Sequence, residues 1–462
     1  MTNARAGGWN PLDDLAELRL GDRRRNERAR RVMQRAVAAP GDSFPEMLIT
    51  EAELEGFYRL ASNDDVSPRA LLAPHQAATG ERAGRCEQPV IVAHDTTVAS
   101  FGGEGVREGV GTVANGGTGL TIHVALGLRF DGLPLGLLDL QTHTRLSKAP
   151  TSRPPADRES ARWAEGVRAA TARVGRRAIH VMDREADAYL LLDELIAGEH
   201  TFVVRVSQRQ RKVVDAPCPD VGEAADAITV QFAREVPLAV RSDYRRQQGA
   251  KETHPARVAR VATLGVGART VTLQAAASHR SHATHATLSV HLVRVWEPTP
   301  VDGEPAVEWL LYTNLPIVTP EDLAFVVDCY RRRWVVEEYF KALKTGCAIE
   351  DRQLESRHSL EIALAFLAPI AVHLVLLRTL ARTAPDAPAT AVLSPLHFEV
   401  LRAISQRFKV SPTATVHDVL FAIAGLGGFL KRNRVPGWQT IGRGHERLME
   451  AVIGWKAAKG LA

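Results

Sequence analysis

Cysteine is scarce and scattered. Cys86, Cys218, Cys329 and Cys347 are the only four in 462 residues, and no two form a CxxC pair. That spacing excludes a zinc ribbon and a disulfide framework. Long clean apolar runs are missing too. The most hydrophobic stretch, residues 362–377, carries Pro369 and His373 and falls short of the ~18 uninterrupted apolar residues of a membrane span. It reads as a buried helix. The start, MTNARAGGWNPLDD, is polar and unlike a secretory leader, so a soluble cytoplasmic chain with no membrane partner is expected. There is no nucleotide fingerprint either. GLGG at Gly425–Gly428 has neither GK[ST] nor a preceding strand, and suits close helix packing.

What is present is ordinary in bulk and uneven in detail. Hydrophobic content of 45% is ample for real cores, and at ~100–200 residues per domain the length predicts two to four of them. Lys and Arg exceed Asp and Glu by 58 to 53, a mild basicity compatible with a polyanionic partner. The basic residues cluster. Asp22 is placed to cap a helix beginning RRRNERARRVMQRAVA, whose Val32, Met33, Ala36 and Val37 form a buried side. Arg23, Arg24, Arg25, Arg28, Arg30 and Arg31 crowd its start, where cations oppose the helix dipole and a phosphate backbone would relieve them. A second helix over 51–62 and a third from Pro68 complete a compact candidate DNA-binding module.

The middle of the chain changes character. PVIVAHDTT reads as a strand ending at Asp95, and residues 120–129 and 133–144 read as two more, joined by the turn Asp131-Gly132. A helix over 155–174 follows, then a strand ending near Asp183, a helix starting almost at once, and the strand TFVVRV. This is a mixed α/β sheet. From 207 to about 316 strand-like runs alternate with proline-rich turns, which predicts an inserted β subdomain. Arg209, Arg211, Lys212, Arg241, Arg245 and Arg246 give it basic runs that suit a polyanion. His279, His282, His285 and His291 lie there as well, but their spacing alternates strand faces and no acid joins them, so a polar hairpin is expected rather than a metal site.

The most informative stretch is YRRRWVVEEYFKALK, residues 330–344, which reads as one uninterrupted helix. At ~100° per residue, Tyr330, Arg333, Glu337, Lys341 and Lys344 fall within an arc of roughly 80°. Cys329, Val336, Tyr339, Phe340 and Leu343 form an apolar stripe beside it. One acid amid cations and an aromatic ring suits a metal-bound carboxylate acting on a clamped phosphodiester. Asp95 and Asp183, each at a strand end, supply two further carboxylates. Hard oxygen donors of this kind suit two Mg²⁺ or Mn²⁺ ions. Each Asp taken singly also fits a turn or a helix cap, and spacing does not decide among Asp183, Glu185 and Asp187 in DREAD.

Taken together, HDTT, DREAD and Tyr-x₂-Arg-x₃-Glu-x₆-Lys resemble the DDE transposases of the insertion-sequence-four family. The likeness extends through LGDRRRNER, EGFYRLASNDDVS, FVVRV and WLLYTN, and weakly to the C-terminal GW segment. The resemblance implies an α/β fold with an RNase H-like catalytic core interrupted by a β insertion and flanked by helical domains. The implied boundaries are 1–75 for DNA-end binding, 76–206 for the first part of the core, 207–317 for the insertion, 318–383 for the Glu helix and its successor, and 384–462 for dimerisation. Asp95, Asp183 and Glu337 would bind two metal ions. Tyr330, Arg333, Lys341 and Lys344 would hold the transposon-end backbone, Trp309 would stack on a flipped base, and Arg205 and Arg59 would touch phosphates. The implied activity is cut-and-paste transposition by a homodimer on transposon-end and target DNA, through a hairpin intermediate, at the bacterial nucleoid. The alternatives are a catalytically silent DNA-binding regulator and an RNase H-like nuclease without strand transfer.

Overall fold

The computed structural model describes residues 9, 11–102, 106–113, 117–144, 161–214, 217–240, 257–301, 304, 306–433 and 435–460. Residues 155–160 of the expected fourth helix, and Arg241, Arg245 and Arg246, lie outside the described residues. In chain order come helices α1 (Arg23–Ala38), α2 (Glu51–Ala61) and α3 (Pro68–Gly84), then strands β1 (Val90–Ser100), β2 (Thr118–Leu128) and β3 (Pro134–His143). Helix α4 (Ala161–Val174), β4 (Ala178–Met182), α5 (Tyr189–Ala197) and β5 (Thr201–Arg205) follow. Strands β6 (Phe232–Leu238), β7 (Arg260–Gln274), β8 (Thr287–Trp296) and β9 (Glu308–Thr313) precede α6 (Pro320–Arg332) and α7 (Trp334–Lys341). The chain then turns helical, with α8 (Arg357–Thr383), α9 (Pro395–Ile404), α10 (Val416–Leu426) and α11 (Trp438–Ala458).

Helix starts follow local chemistry. Asp22 Oδ1 accepts from the backbone N–H of Arg24 at 2.7 Å and of Arg25 at 3.2 Å, the cap its position predicts. Thr50 and Ser67 cap α2 and α3 in the same way, and Thr319 with Asp322 forms a capping box for α6. The arginines at the start of α1 differ from expectation in one respect. Several meet acids of the protein itself: Arg23 pairs with Glu27, Arg25 with Asp65, and Arg31 and Arg35 converge on Glu53. Intramolecular carboxylates therefore relieve much of the repulsion assigned to an external phosphate.

Two compact units divide the chain, one of residues 1–175 with 334–462 and the other of residues 176–333. In the first, β2 lies between β1 and β3, all antiparallel. The Asp131-Gly132 hairpin forms as the turn signal implies, with Gly132 at φ 92° and its N–H on the Arg129 carbonyl. Helix α4 packs on one side of these strands and α7 packs against β1. Helix α8 is the one helix among the described residues long and apolar enough to cross a membrane by length and composition. Of its most apolar window, 94% is buried against the helices around it, so it is a core helix, as read from residues 362–377.

In the second unit the order is β4-β5-β9-β8-β7-β6, parallel between β4 and β5 and antiparallel thereafter. Helix α5 makes the crossover from β4 to β5. The strands of 232–313 join the same sheet through β9, where Leu311 pairs with Arg205 and Thr313 with Val203.

The glycines near residue 427 serve packing. A Cβ at Gly427 would overlap the Thr440 carbonyl, and one at Gly444 the Ile423 carbonyl, so α10 and α11 touch backbone to backbone. Gly454, on the same helix as Gly444, has open space around it. Gly444→Ala is expected to lower stability by about 1–3 kcal/mol through overpacking. Gly454→Ala is expected to raise it by about 0.5–1 kcal/mol through helix propensity. Chemical denaturation of both variants measures the difference.

Candidate active site

The first unit carries Asp95 and Glu337. Strand β1 does not end at Asp95; it continues to Ser100, with Asp95 opposite Val124 and Thr96 opposite His123 on β2. The β-branched residues Thr96, Thr97 and Val98 prolong the extended backbone where the sequence looks like a turn. Asp95 is half-buried, and its Oδ1 accepts from the Thr96 N–H at 2.7 Å. Alternation along the strand puts Asp95 and Thr96 on opposite faces. On the Thr96 face lie His94 and His123, both fully buried, with Trp163 beneath His123. Burial holds both imidazoles well below their usual pKa, so they are neutral at pH 7.

Glu337 sits half-buried in the first turn of α7, where the helix dipole favours an acid. Val336, Tyr339, Phe340 and Leu343 are buried, which is the apolar stripe expected. The uninterrupted helix is corrected. Arg333 N–H bonds to the Tyr330 carbonyl at 3.0 Å, a tight i to i−3 turn that ends α6. A π turn over Ala342–Gly346 then follows α7. A uniform 3.6-residue period therefore does not carry from Tyr330 to Lys344. Lys341 is exposed and lies 5.4 Å from the Trp334 ring centre. Lys344 bonds to the Val98 carbonyl and pairs with Glu350 at 3.4 Å, and Glu350 accepts from Ser100 N at 2.9 Å. The π turn is thus clamped to the far half of β1. Glu350 has no signal in the sequence, because its partner Ser100 lies 250 residues away.

The second unit carries Asp183, Trp309, Tyr330, Arg333 and Arg205. Asp183 follows β4 and caps a 3₁₀ turn over Arg184–Ala186, accepting from Glu185 N at 2.9 Å. The helix expected at once begins only at Tyr189. Within DREAD the three acids now separate. Asp187 is 2% exposed, accepts from Ser207 N at 2.7 Å and Gln208 N at 2.8 Å, and pairs with buried Arg211 at 2.6 Å. It holds the loop after β5. Glu185 is exposed, and Asp183 is half-buried at the strand end.

Trp309 is half-buried on β9, opposite Val295, and meets Tyr330 edge-on with ring centres 5.6 Å apart. Tyr330 itself is 4% exposed, not on an open face. The Arg333 guanidinium lies 5.8 Å from the Tyr330 ring centre. Arg205 is half-buried at the end of β5. Arg59, on α2 in the first unit, is exposed and paired with Glu55 at 2.6 Å. The histidine run is corrected in one detail: an acid does join it. Asp193 of α5 takes the His285 ring nitrogen at 2.7 Å and the Thr284 N–H at 2.6 Å, which makes His285 a loop anchor. Among the described residues, neither unit alone gathers three His, Cys, Asp or Glu side chains into a metal-binding group.

With this geometry in place, comparison with known proteins identifies the class. A family described as Transposase DNA-binding matches residues 12–66, which span α1 and α2. The Transposase DDE domain family matches residues 133–372, more than half of the chain, including Asp183 and Glu337. The chain belongs to the Transposase DDE domain family and also carries a match to the Transposase DNA-binding family. One solved structure, described as the cryo-EM structure of piggyBac transposase synaptic complex with hairpin DNA, is similar over 77% of this chain at 10% identity and a TM-score of 0.36. This chain spans 66% of the length of that one.

The Asp187–Arg211 pair makes the division of labour testable. Asp187→Ala leaves a buried guanidinium without its carboxylate and is expected to cost about 3–5 kcal/mol. Glu185→Ala, at an exposed position, is expected to change stability by less than about 0.5 kcal/mol. Urea unfolding of the two variants checks the contrast.

Proposed function

We propose that this transposase works by cut-and-paste, with Asp95, Asp183 and Glu337 as its acidic triad in an RNase H-like core, and that it belongs to the insertion-sequence-four group. The packing of α7, which carries Glu337, directly on β1, which carries Asp95, is the observation that supports this most strongly. The donor set fits Mg²⁺ or Mn²⁺: three carboxylates, all hard oxygen ligands, with neither thiol nor imidazole among them. When bound, a pair of such ions supplies a low-pKa water and charge stabilisation at the scissile phosphate.

The chain's own residues supply grip and orientation. Lys341 presents an exposed ammonium for a phosphate. Lys344 is half-buried, bonds to the Val98 carbonyl and pairs with Glu350, and its ammonium has three donors to share with the DNA backbone. Tyr330 and Arg333 hold the same strand near Trp309, and Trp309 receives an extruded base in place of its lost stacking partner. Arg205 and Arg59 add phosphate contacts.

The reaction order is a nick that frees a 3′ hydroxyl, attack of that hydroxyl on the opposite strand to form a hairpin, hydrolytic opening, and attack of the 3′ end on target DNA. Each step breaks one phosphorus–oxygen bond and forms another, so one site serves all four. Residues 1–75 bind the end repeats, 76–206 and 318–383 build the core, 207–317 form the insertion, and 384–462 join two copies on paired ends. The protein acts in the cytoplasm at the nucleoid.

Glu337→Gln is expected to bind end DNA normally. Because even outer-shell changes at metal sites cost roughly 10–100-fold, its nicking is expected to fall by more than about a hundredfold. A Mg²⁺-dependent cleavage assay on an end duplex from the flanking inverted repeats measures this, and undiminished nicking refutes the triad. Base stacking on an aromatic contributes about 1–3 kcal/mol, so Trp309→Ala is expected to slow hairpin formation by roughly 5–150-fold. The first nick is expected to change little. Equal loss at both steps, read from strand products on a denaturing gel, counts against stacking.

A further inference from the structure

On the face of β1 opposite Asp95 lies a polar network that neither the motifs nor the family match assigns to any task. Arg162 of α4, 8% exposed, directs its Nε to Thr96 Oγ1 at 3.1 Å. Thr96 Oγ1 lies 3.0 Å from His123 Nδ1. Arginine only donates, so the Thr96 hydroxyl oxygen accepts from Arg162, and its second bond is shared with the His123 ring nitrogen. Two partners on Oγ1 restrict the Thr96 side chain to one rotamer. The Arg162 main chain is tied down as well, because its carbonyl accepts from Gln141 Nε2 of β3 at 3.1 Å. Trp163, His94 and His123 are 0–1% exposed and share this face with the network. A Cβ at Gly166 would crowd His94 and His123, so α4 approaches this face at a residue without a side chain.

The consequence crosses the strand. Thr96 donates its own backbone N–H to Asp95 Oδ1 at 2.7 Å. A side chain fixed on one face thus holds the peptide that orients the carboxylate on the other. We propose that Thr96, locked by Arg162 and His123, is a positioning residue that sets the Asp95 carboxylate for a divalent cation. The inference rests on the reading of Asp95 as a metal ligand. In that role Thr96 needs no contact with DNA or metal. Its hydroxyl acts through the backbone, in the way outer-shell partners orient the groups that bind a metal.

The test is Mn²⁺ binding to the full-length protein, followed by electron paramagnetic resonance, with thermal melting of the metal-free protein as the measure of folding. Thr96→Val keeps the β-branched shape and removes the hydroxyl, and is expected to weaken Mn²⁺ binding by roughly tenfold. Thr96→Ser restores the hydroxyl and is expected to restore binding to within about twofold of the unmodified chain. Asp95→Asn is expected to lose the binding signal. Should Thr96→Val fail to fold, Arg162→Lys, which keeps the charge and removes the Nε donor, is titrated in its place with the same expected weakening. Unmodified Mn²⁺ affinity in the folded Thr96→Val or Arg162→Lys protein, with the signal lost in Asp95→Asn, overturns the positioning role alone. Unmodified affinity in Asp95→Asn overturns the ligand assignment and the positioning role with it.

Discussion

The packing of a short amphipathic helix on one strand is the constraint on which the rest turns. Helix α7 has eight residues, too few to hold a fixed orientation by itself. Its buried side, Val335, Val336, Tyr339 and Phe340, supplies the burial that fixes it, and the π turn behind it is clamped to β1 by Lys344, Glu350 and Ser100. Because Cβ direction follows helix rotation, fixing the apolar stripe also fixes where Glu337 points. Strand β1 obeys the corresponding rule with a period of two. Its faces do different work: one carries Asp95, and the other is closed by α4 over buried histidines, tryptophan and arginine.

Charge is handled in a similarly divided way. Buried acids are committed to buried or partly buried cations, as in Asp187 with Arg211 and Asp14 with Arg82, and Asp14 also bonds to the buried His75 ring. An uncompensated charge in such places would cost several kcal/mol, so these groups are unavailable for ligands. The acids assigned to chemistry, Asp95, Asp183 and Glu337, are all half-buried. Partial exposure keeps a carboxylate reachable, while its neighbours restrict its rotamers. The arginine-rich start of α1 follows the same logic, since several of its cations meet internal acids while Arg24 stays exposed.

Legibility in the sequence tracks the range of the interaction. The Asp22 cap, the Asp131-Gly132 hairpin, the burial of α8 and the close approach at Gly427 depend on neighbours or on simple periodicity, and the residues announce them. The length of β1 was not legible, because Thr96 to Ser100 lack the apolar look of a strand and are held extended by pairing with β2. The helix over 330–344 was legible in its apolar stripe but not in its register. A tight turn at Arg333 and a π turn at Ala342 break a period that composition alone suggests is uniform. Which acid of DREAD is structural depended on Arg211, and the role of His285 on Asp193. Both are contacts that no local pattern encodes.

The proposed role of carboxylates 95, 183 and 337 is to bind divalent metal together beside a DNA strand. Anomalous diffraction from crystals of the full chain grown with Mn²⁺ and an end duplex tests it most directly. Manganese peaks are expected within ligand distance of all three carboxylates and next to a phosphate of the duplex. Manganese bound to other residues, with any of the three carboxylates remote from it, would overturn the triad.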